Sequence, residues 1–505
     1  MHKAPRAALR LVEKGERNAA MAGEIMRILI TIDIGQARNW HAALGEALRR
    51  DGHEVAFAFA AGPPQDKAVA RLLAFEQLAY RVGPQHSFAS AALAEGIGLA
   101  CDLVIDLAAA PFAGASWLVP HFDGQPGAAA ALACVLSGHS PQVAIAWQRV
   151  NAPTVTMACG TPGIERPDVA MLALGFLMTR TASLLRQAVA RIGRGDAPLA
   201  AAPARIAPVA AAPAAFVARQ LAGKVARRLA GLVARQGHWR VGWRRCADDG
   251  VAKTLAWPTE GYRTLADDGR RYYADPFLFQ HQGQLHLFVE EFPYATGKGV
   301  ISSAIIGADG RIGVPRIVLE RPWHLSYPQV FAQGEAIFMI PETGANRSIE
   351  LYRAIAFPDR WIREAVLVEN VMAGDATYLQ HGDRHWLFAS ITEEGGSTWD
   401  QLGLFHAPSL RGPWQPHAVN PVLTDAGSAR PAGQMRLIDG KIRRVAQDCV
   451  GGYGRGLSLA TIDRLDTQGY AQTVHARLAP APAWGMQAVH SLNLAGGVEV
   501  VDYFG

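Results

Sequence analysis

Five times between residue 270 and residue 505 the sequence returns to one short plan, and no other feature narrows the fold as much. The repeats open as Ala-Asp275-Pro-Phe, Ser-Tyr327-Pro-Gln, Gly-Asp375-Ala-Thr, Ala-Arg430-Pro-Ala and Val-His490-Ser-Leu, spaced 52, 48, 55 and 60 residues apart. Each opening leads into an apolar run, a Gly-containing turn and a second apolar run; in four of them a third run follows. Short strands at a period near 50 are the signature of a β-propeller, with one blade per period. The fifth period reaches Gly505 after two strands, so its outer strands must come from the segment 238–265. The expectation is a closed five-bladed β-propeller over 237–505.

The inner strand of each blade lines the central channel, so the opening residues sit together at its mouth. A proline beside the opening residue suits a place where no ladder hydrogen bond is needed. Asp275, Tyr327, Asp375, Arg430 and His490 converge there, with Glu290, Glu291, Glu342, Asp448 and Asp502 at the ends of the second strands. Convergent carboxylates in a concavity suit sugar hydroxyls, a cation or acid–base chemistry. The plainer alternative is a narrow channel whose polar side chains satisfy one another.

The first half follows another pattern. Strands are expected at 27–33, 54–60, 101–108, 117–122, 143–149 and 154–159, and helices at 37–50, 65–75, 87–95, 126–137 and 168–192. Such alternation predicts an α/β domain over 26–195, a Rossmann-type parallel sheet with crossover helices. Ligands of such sheets lie beyond the carboxyl ends of the strands. Asp33, Gly35, Gln36, Asp106, His121 and Asp123 fall there. No G-x-G-x-x-G run is present, so the dinucleotide fingerprint is missing.

The two halves are joined by 196–236. Its first part is dense in Pro and Ala, a composition suited to a semi-extended spacer. A basic amphipathic helix follows, with Val217, Leu221, Val225, Leu229 and Leu232 on one stripe and Arg219, Lys224, Arg227, Arg228 and Arg235 elsewhere. It reads either as a helix docked on a domain with its cations in water or as one lying on an anionic membrane surface. Residues 1–25 are polar, charged and Ala-rich, without the apolar middle of a signal peptide, and read as a disordered extension. The net charge of +5 comes with no nucleic-acid reader motif. Five scattered cysteines without a C-x-x-C pair suggest reduced thiols and a cytoplasmic setting. No metal site or cofactor can be assigned from spacing.

Three resemblances add to this. Residues 26–195 resemble formyltransferase-like domains through Met-Arg-Ile-Leu-Ile-Thr-Ile-Asp (26–33), Trp40, the run 102–111 and Val-Pro-His-Phe-Asp-Gly (119–124). The resemblance matches Asp106, His121 and Asp123 to the remnant of that site. Val119 stands where the catalytic asparagine is expected, which implies the fold without the activity. The Asp-Pro opening and five blades resemble five-bladed glycoside hydrolases, implying Asp275 as base and Asp375 as its electrostatic partner. No Glu lies between Glu394 and Glu499, so Glu342 or Glu290 must serve as the acid.

Residues 240–505 resemble the N-terminal domain of plant glucosamine inositolphosphorylceramide transferases. Tyr-Ala-Asp-Pro-Phe (273–277), Phe-Val-Glu-Glu (288–291), Ser-Tyr-Pro-Gln-Val (326–330), Pro-Glu-Thr (341–343), Glu-Leu-Tyr-Arg (350–353) and Gly-Asp-Ala-Thr (374–377) carry it. In the plant enzymes a glycosyltransferase domain follows this region, so the resemblance implies a carbohydrate context. The leading expectation is a glycan-processing or glycosyl-transferring enzyme acting on a sugar, glycan or nucleotide-sugar. Asp275, Asp375 and Glu342 would be catalytic, with Glu290, Tyr327, Gln329, Arg430, Asp448 and His490 binding substrate. A non-catalytic glycan-binding or scaffold protein is the alternative, and a sugar-amine formyltransferase using His121 is the third.

Overall fold

The computed structural model describes residues 25–33, 37–60, 66–80, 101–108, 116–200, 213–233, 237–307 and 309–505. Gly35, Gln36, the expected helix 87–95, most of the N-terminal extension and most of the Pro/Ala spacer lie outside them. The first domain runs β1 (Arg27–Asp33), α1 (Asn39–Arg50), β2 (Glu54–Ala60), α2 (Lys67–Tyr80), β3 (Leu103–Asp106), β4 (Trp117–Phe122), β5 (Gln125–Pro126), α3 (Ala128–Ser137), β6 (Val143–Arg149), β7 (Ala152–Gly160) and α4 (Ala170–Gly193). Its sheet has the order β2-β1-β3-β4-β6-β7, with β5 paired to β4.

The first four strands are parallel, as the alternating pattern requires. The wholly parallel sheet is corrected beyond them, because β4, β6 and β7 pair antiparallel. Val150 and Asn151 alone link β6 to β7. That link suits a hairpin and is far too short for a parallel crossover. Asn151 takes the left-handed turn conformation, φ 58°. The core lies between sheet and helices, where Ile30, Ile105, Leu177, Leu184 and Leu185 are fully buried. Burial of each such side chain stabilises by about 1.5–3 kcal/mol.

The second domain is the five-bladed propeller. Four blades are consecutive antiparallel sheets whose inner two strands are Arg271–His281 with Gln284–Pro293, Ser326–Gln333 with Ala336–Glu342, Ala373–His381 with Arg384–Ile391, and Arg436–Ile438 with Lys441–Asp448. The fifth joins Ala488–Ala495 and Val498–Phe504 to Trp239–Arg245 and Arg263–Thr264. The ring is thus closed by the chain's early segment, as the truncated fifth repeat demands.

The two domains are fastened at α4 and the segment after β7. Thr161 exchanges backbone hydrogen bonds with Thr424 and Ala426, at 3.3 and 2.8 Å. Gly160 is required there, since a Cβ would fall 2.3 Å from the Thr424 carbonyl oxygen. Arg180 Nε donates to Asp400 Oδ1 at 2.7 Å, and the Gly163 amide donates to Asp400 Oδ2 at 2.7 Å. Both side chains of that ion pair are fully buried. Glu165 Oε1 accepts from the Thr398 amide and the Ser397 hydroxyl. The propeller loop 392–400 is therefore held from the first domain.

Candidate functional site

The repeated opening residue shapes the channel through its backbone. Asp275, Tyr327 and Asp375 have φ of 48°, 47° and 53°. Each lies where its strand slips register against the second strand of its blade. A left-handed L-residue costs roughly 1–2 kcal/mol, so the same kink held in three blades marks a place where side-chain direction matters more than ladder continuity. The kink turns these side chains toward the other blades.

Two linked clusters result. In the first, His490 Nδ1 lies 2.6 Å from Asp502 Oδ2 and 3.8 Å from Asp275 Oδ1. Asp502 also accepts the backbone N–H groups of Asp275, His490 and Ser491, and Asp275 Oδ2 accepts that of Tyr327 at 3.2 Å. Burial disfavours charge on His490, but the carboxylates of Asp502 and Asp275 outweigh it and lift the imidazole to about 9. Burial raises the Asp275 carboxyl well above the usual range; His490 opposes this, while Asp502, Asp375 and Glu290 add to it.

In the second cluster, Asp375 Oδ2 accepts from Arg430 Nε at 2.5 Å and from Gln447 Nε2 at 2.7 Å. Glu342 Oε2 accepts the Asp375 amide at 2.9 Å. Glu342 is partly open to solvent yet surrounded by protein at the channel. Burial first, and the charge of Asp375 second, raise its carboxyl to about 7 against the pull of Arg430. Such a group exchanges its proton near neutrality.

The remaining sequence candidates take definite places. Tyr327 is fully buried, and its hydroxyl engages Thr377 of blade three and the Gly433 amide of blade four. Gln329 spends both ends of its amide on the backbone of Tyr378. Glu290 pairs with His324 at 3.2 Å, and Asp448 with Arg477 at 3.2 Å. Arg430 precedes its inner strand, which is reduced to Arg436–Ile438. Gly433 lies between Arg430 and that strand, with φ 146° and no room for a side chain against the Leu492 carbonyl.

Aromatic rings that the repeat did not single out flank these clusters. Trp239 stacks on His490 with centroids 4.0 Å apart. Tyr453 meets His490 edge-on at 5.3 Å and lies beneath the Arg430 guanidinium. Trp399, from the loop held by the first domain, tilts against Tyr453 at 6.1 Å. Asp275, His490 and Asp502 present ligand atoms within 4.8 Å of one another, a spacing that a cation could bridge. Protonated His490 already supplies positive charge there, and the donor set alone assigns no metal.

In the first domain, a cleft at the carboxyl ends of the strands is lined by Asp33, Arg38, Trp40 and His41 among largely apolar residues. Asp106, His121 and Asp123 are not among the described residues that line it. Asp106 accepts from Thr31 and from the Ala108 amide. Asp123 accepts from the Gln142 amide and pairs with His139 at 2.7 Å. His121 is half-buried, and burial lowers its basicity.

Residues 245–491 match the family model described as glucosamine inositolphosphorylceramide transferase 1, N-terminal. The enzyme of that name from Oryza sativa subsp. japonica is 35% identical over 226 residues, 43% of this chain and 29% of the relative. That from Arabidopsis thaliana is 35% identical over 205 residues, 40% of this chain and 27% of the relative. The chain thus spans less than a third of these curated relatives. Among solved structures, the α-L-arabinanase of Cellvibrio cellulosa with arabinohexaose is 16% identical and covers 45% of this chain and 82% of its own, with a TM-score of 0.30. The Bacteroides ovatus xyloglucan-locus GH43B is also 16% identical, covering 40% and 42%, with a TM-score of 0.31. The propeller half of the chain is similar to the N-terminal region of the glucosamine inositolphosphorylceramide transferases, whose family model its residues 245–491 match.

Proposed function

We propose that the chain is a carbohydrate-active enzyme that processes or transfers a glycosyl group at the mouth of the propeller channel. The similarity to the transferase N-terminal region supports a carbohydrate-related function. One observation carries the finer reading: Asp275, Asp375 and Glu342 converge from three blades on kinked or strand-end positions, with Glu342 titrating near neutrality. Glycosyl chemistry needs carboxyl groups of different protonation facing the bond that breaks.

In this reading Glu342 donates a proton to the leaving oxygen. Asp275, on the kink of the first blade, takes one from the attacking hydroxyl or water. Asp375, held by Arg430 and Gln447, tunes Glu342 through space. Trp239, Tyr453 and Trp399 offer apolar faces to a sugar ring. The relatives' name couples glucosamine transfer to an inositolphosphorylceramide acceptor, so amino sugars and their nucleotide-activated forms head the substrates to try.

The test is a turnover screen of the full chain with nucleotide-sugars and oligosaccharides, alongside thermal shift. Asp275→Asn is expected to abolish turnover and leave the melting temperature nearly unchanged. Asn retains the oxygen that accepts the Tyr327 amide and tolerates the left-handed backbone. A large fall in melting temperature instead would assign Asp275 to structure. Turnover is also expected to decline as pH rises through about 7, where Glu342 loses its proton, and Glu342→Gln to remove that limb. A limb that survives Glu342→Gln belongs to another group. The aromatic set favours a second reading, a glycan-binding module. A sugar that stabilises wild type and Asp275→Asn alike, with no turnover, would establish it.

A further inference from the structure

Helix α5 (Pro213–Val233) has two faces with different fates. Phe216 is buried against the first domain, Arg219 Nη2 donates to the Leu136 carbonyl at 2.6 Å, Gln220 to that of Pro167 at 3.3 Å, and Lys224 Nζ to the Tyr80 hydroxyl at 3.1 Å. These residues share one side of the helix, so the docked arrangement expected from the sequence is present. The adjoining side is left open. Val217, Leu221 and Val225, spaced four apart, are 39%, 58% and 58% exposed, and no described residue covers them. Neighbouring α2 exposes Phe75 and Leu78 at 66% and 82%.

An apolar stripe left bare beside a docked face marks a surface with a partner. The charge on α5 indicates which partner. From Pro213 to Val233 the helix has no acidic residue and carries Arg219, Lys224, Arg227 and Arg228. Exposed Lys67 and Arg71 lie on α2. Apolar insertion combined with cations complements the apolar boundary and negative surface of an anionic bilayer. We infer that the exposed stripe of α5, with its flanking cations, docks the protein on an anionic phospholipid surface, α5 lying in the plane of the interface. No helix among the described residues is long and apolar enough to cross a membrane, so this is a peripheral contact. It stands apart from the channel chemistry and does not depend on it.

The test is co-flotation of the full chain with vesicles of phosphatidylcholine alone or mixed with phosphatidylglycerol. Binding to the anionic vesicles is expected to exceed that to neutral ones by roughly tenfold and to weaken as salt rises. Leu221→Glu/Val225→Glu is expected to lose at least about tenfold in binding at an unchanged melting temperature. Arg71→Gln/Arg228→Gln, which leaves both the stripe and the docked contacts intact, is expected to lose the preference for anionic lipid. Equal binding to both vesicle types, or to neither, overturns the inference. So does concentration-dependent self-association abolished by Leu221→Glu/Val225→Glu, which would assign the stripe to a second copy of the chain.

Discussion

Arg180→Ala is expected to destabilise the protein by about 3–5 kcal/mol, because it strands a buried carboxylate where the two domains meet. Arg180 and Asp400 have fully buried side chains, joined at 2.7 Å. Arg180 Nη2 also donates to the Ser397 carbonyl at 2.7 Å. Burial raises the Asp400 carboxyl, and Arg180 and the Gly163 amide oppose it. Without Arg180, Asp400 is driven to take up a proton, so the defect should shrink as pH is lowered. Replacing both partners removes the stranded charge. Arg180→Leu/Asp400→Leu should therefore recover much of the loss, in a double-mutant cycle read by thermal unfolding. Because the pair anchors loop 392–400, which carries Trp399, Arg180→Ala should also increase proteolytic cutting within that loop. A loss below about 1 kcal/mol, the scale of a surface ion pair, together with an intact loop, would show that the pair does not hold the domains together.

The propeller was legible because its period is written in backbone-determining residues. Asp275, Tyr327 and Asp375 recur with the kink they occupy, and the missing outer strands of the fifth blade pointed to 238–265 by necessity. Side-chain direction within the repeat was less legible. Tyr327 and Gln329 stand at equivalent-looking positions, yet one braces blade four and the other clamps blade three. That choice depends on the width of the channel, which no single blade encodes. Trp239 was readable as part of the closing strand; its place over His490 follows only once that strand pairs with Val498–Phe504. The signal for the domain contact was present and unread: Arg180 is a lone charge within Met-Leu-Ala-Leu-Gly-Phe-Leu-Met-Thr-Arg-Thr-Ala-Ser-Leu-Leu. A charge in so apolar a helix requires a buried partner, but its identity lay 220 residues away. The antiparallel β6–β7 pair was likewise readable from its short connection.

Asp502→Ala is expected to open the seam of the propeller, with a loss of about 3–5 kcal/mol. Asp502 is fully buried and gathers three backbone N–H groups, two from its own blade and that of Asp275 from blade one. It is also the nearest counter-charge to His490. Alanine leaves all four groups without that acceptor in a place water reaches poorly. The pH dependence separates the two contributions. His490 is raised from 6.5 to about 9 in the folded protein, so its stabilising effect is complete below about 6.5 and is lost as pH rises through about 9. The gap between wild type and Asp502→Ala, measured by urea unfolding, should therefore be widest near pH 6 and narrow toward pH 9. The part that persists at high pH measures the orphaned amides. His490→Gln should flatten the same limb while keeping the amides satisfied, and so lose less than Asp502→Ala. Parallel pH profiles for wild type and Asp502→Ala would show that Asp502 does not hold the proton on His490. The seam would then rest on the backbone bonds alone.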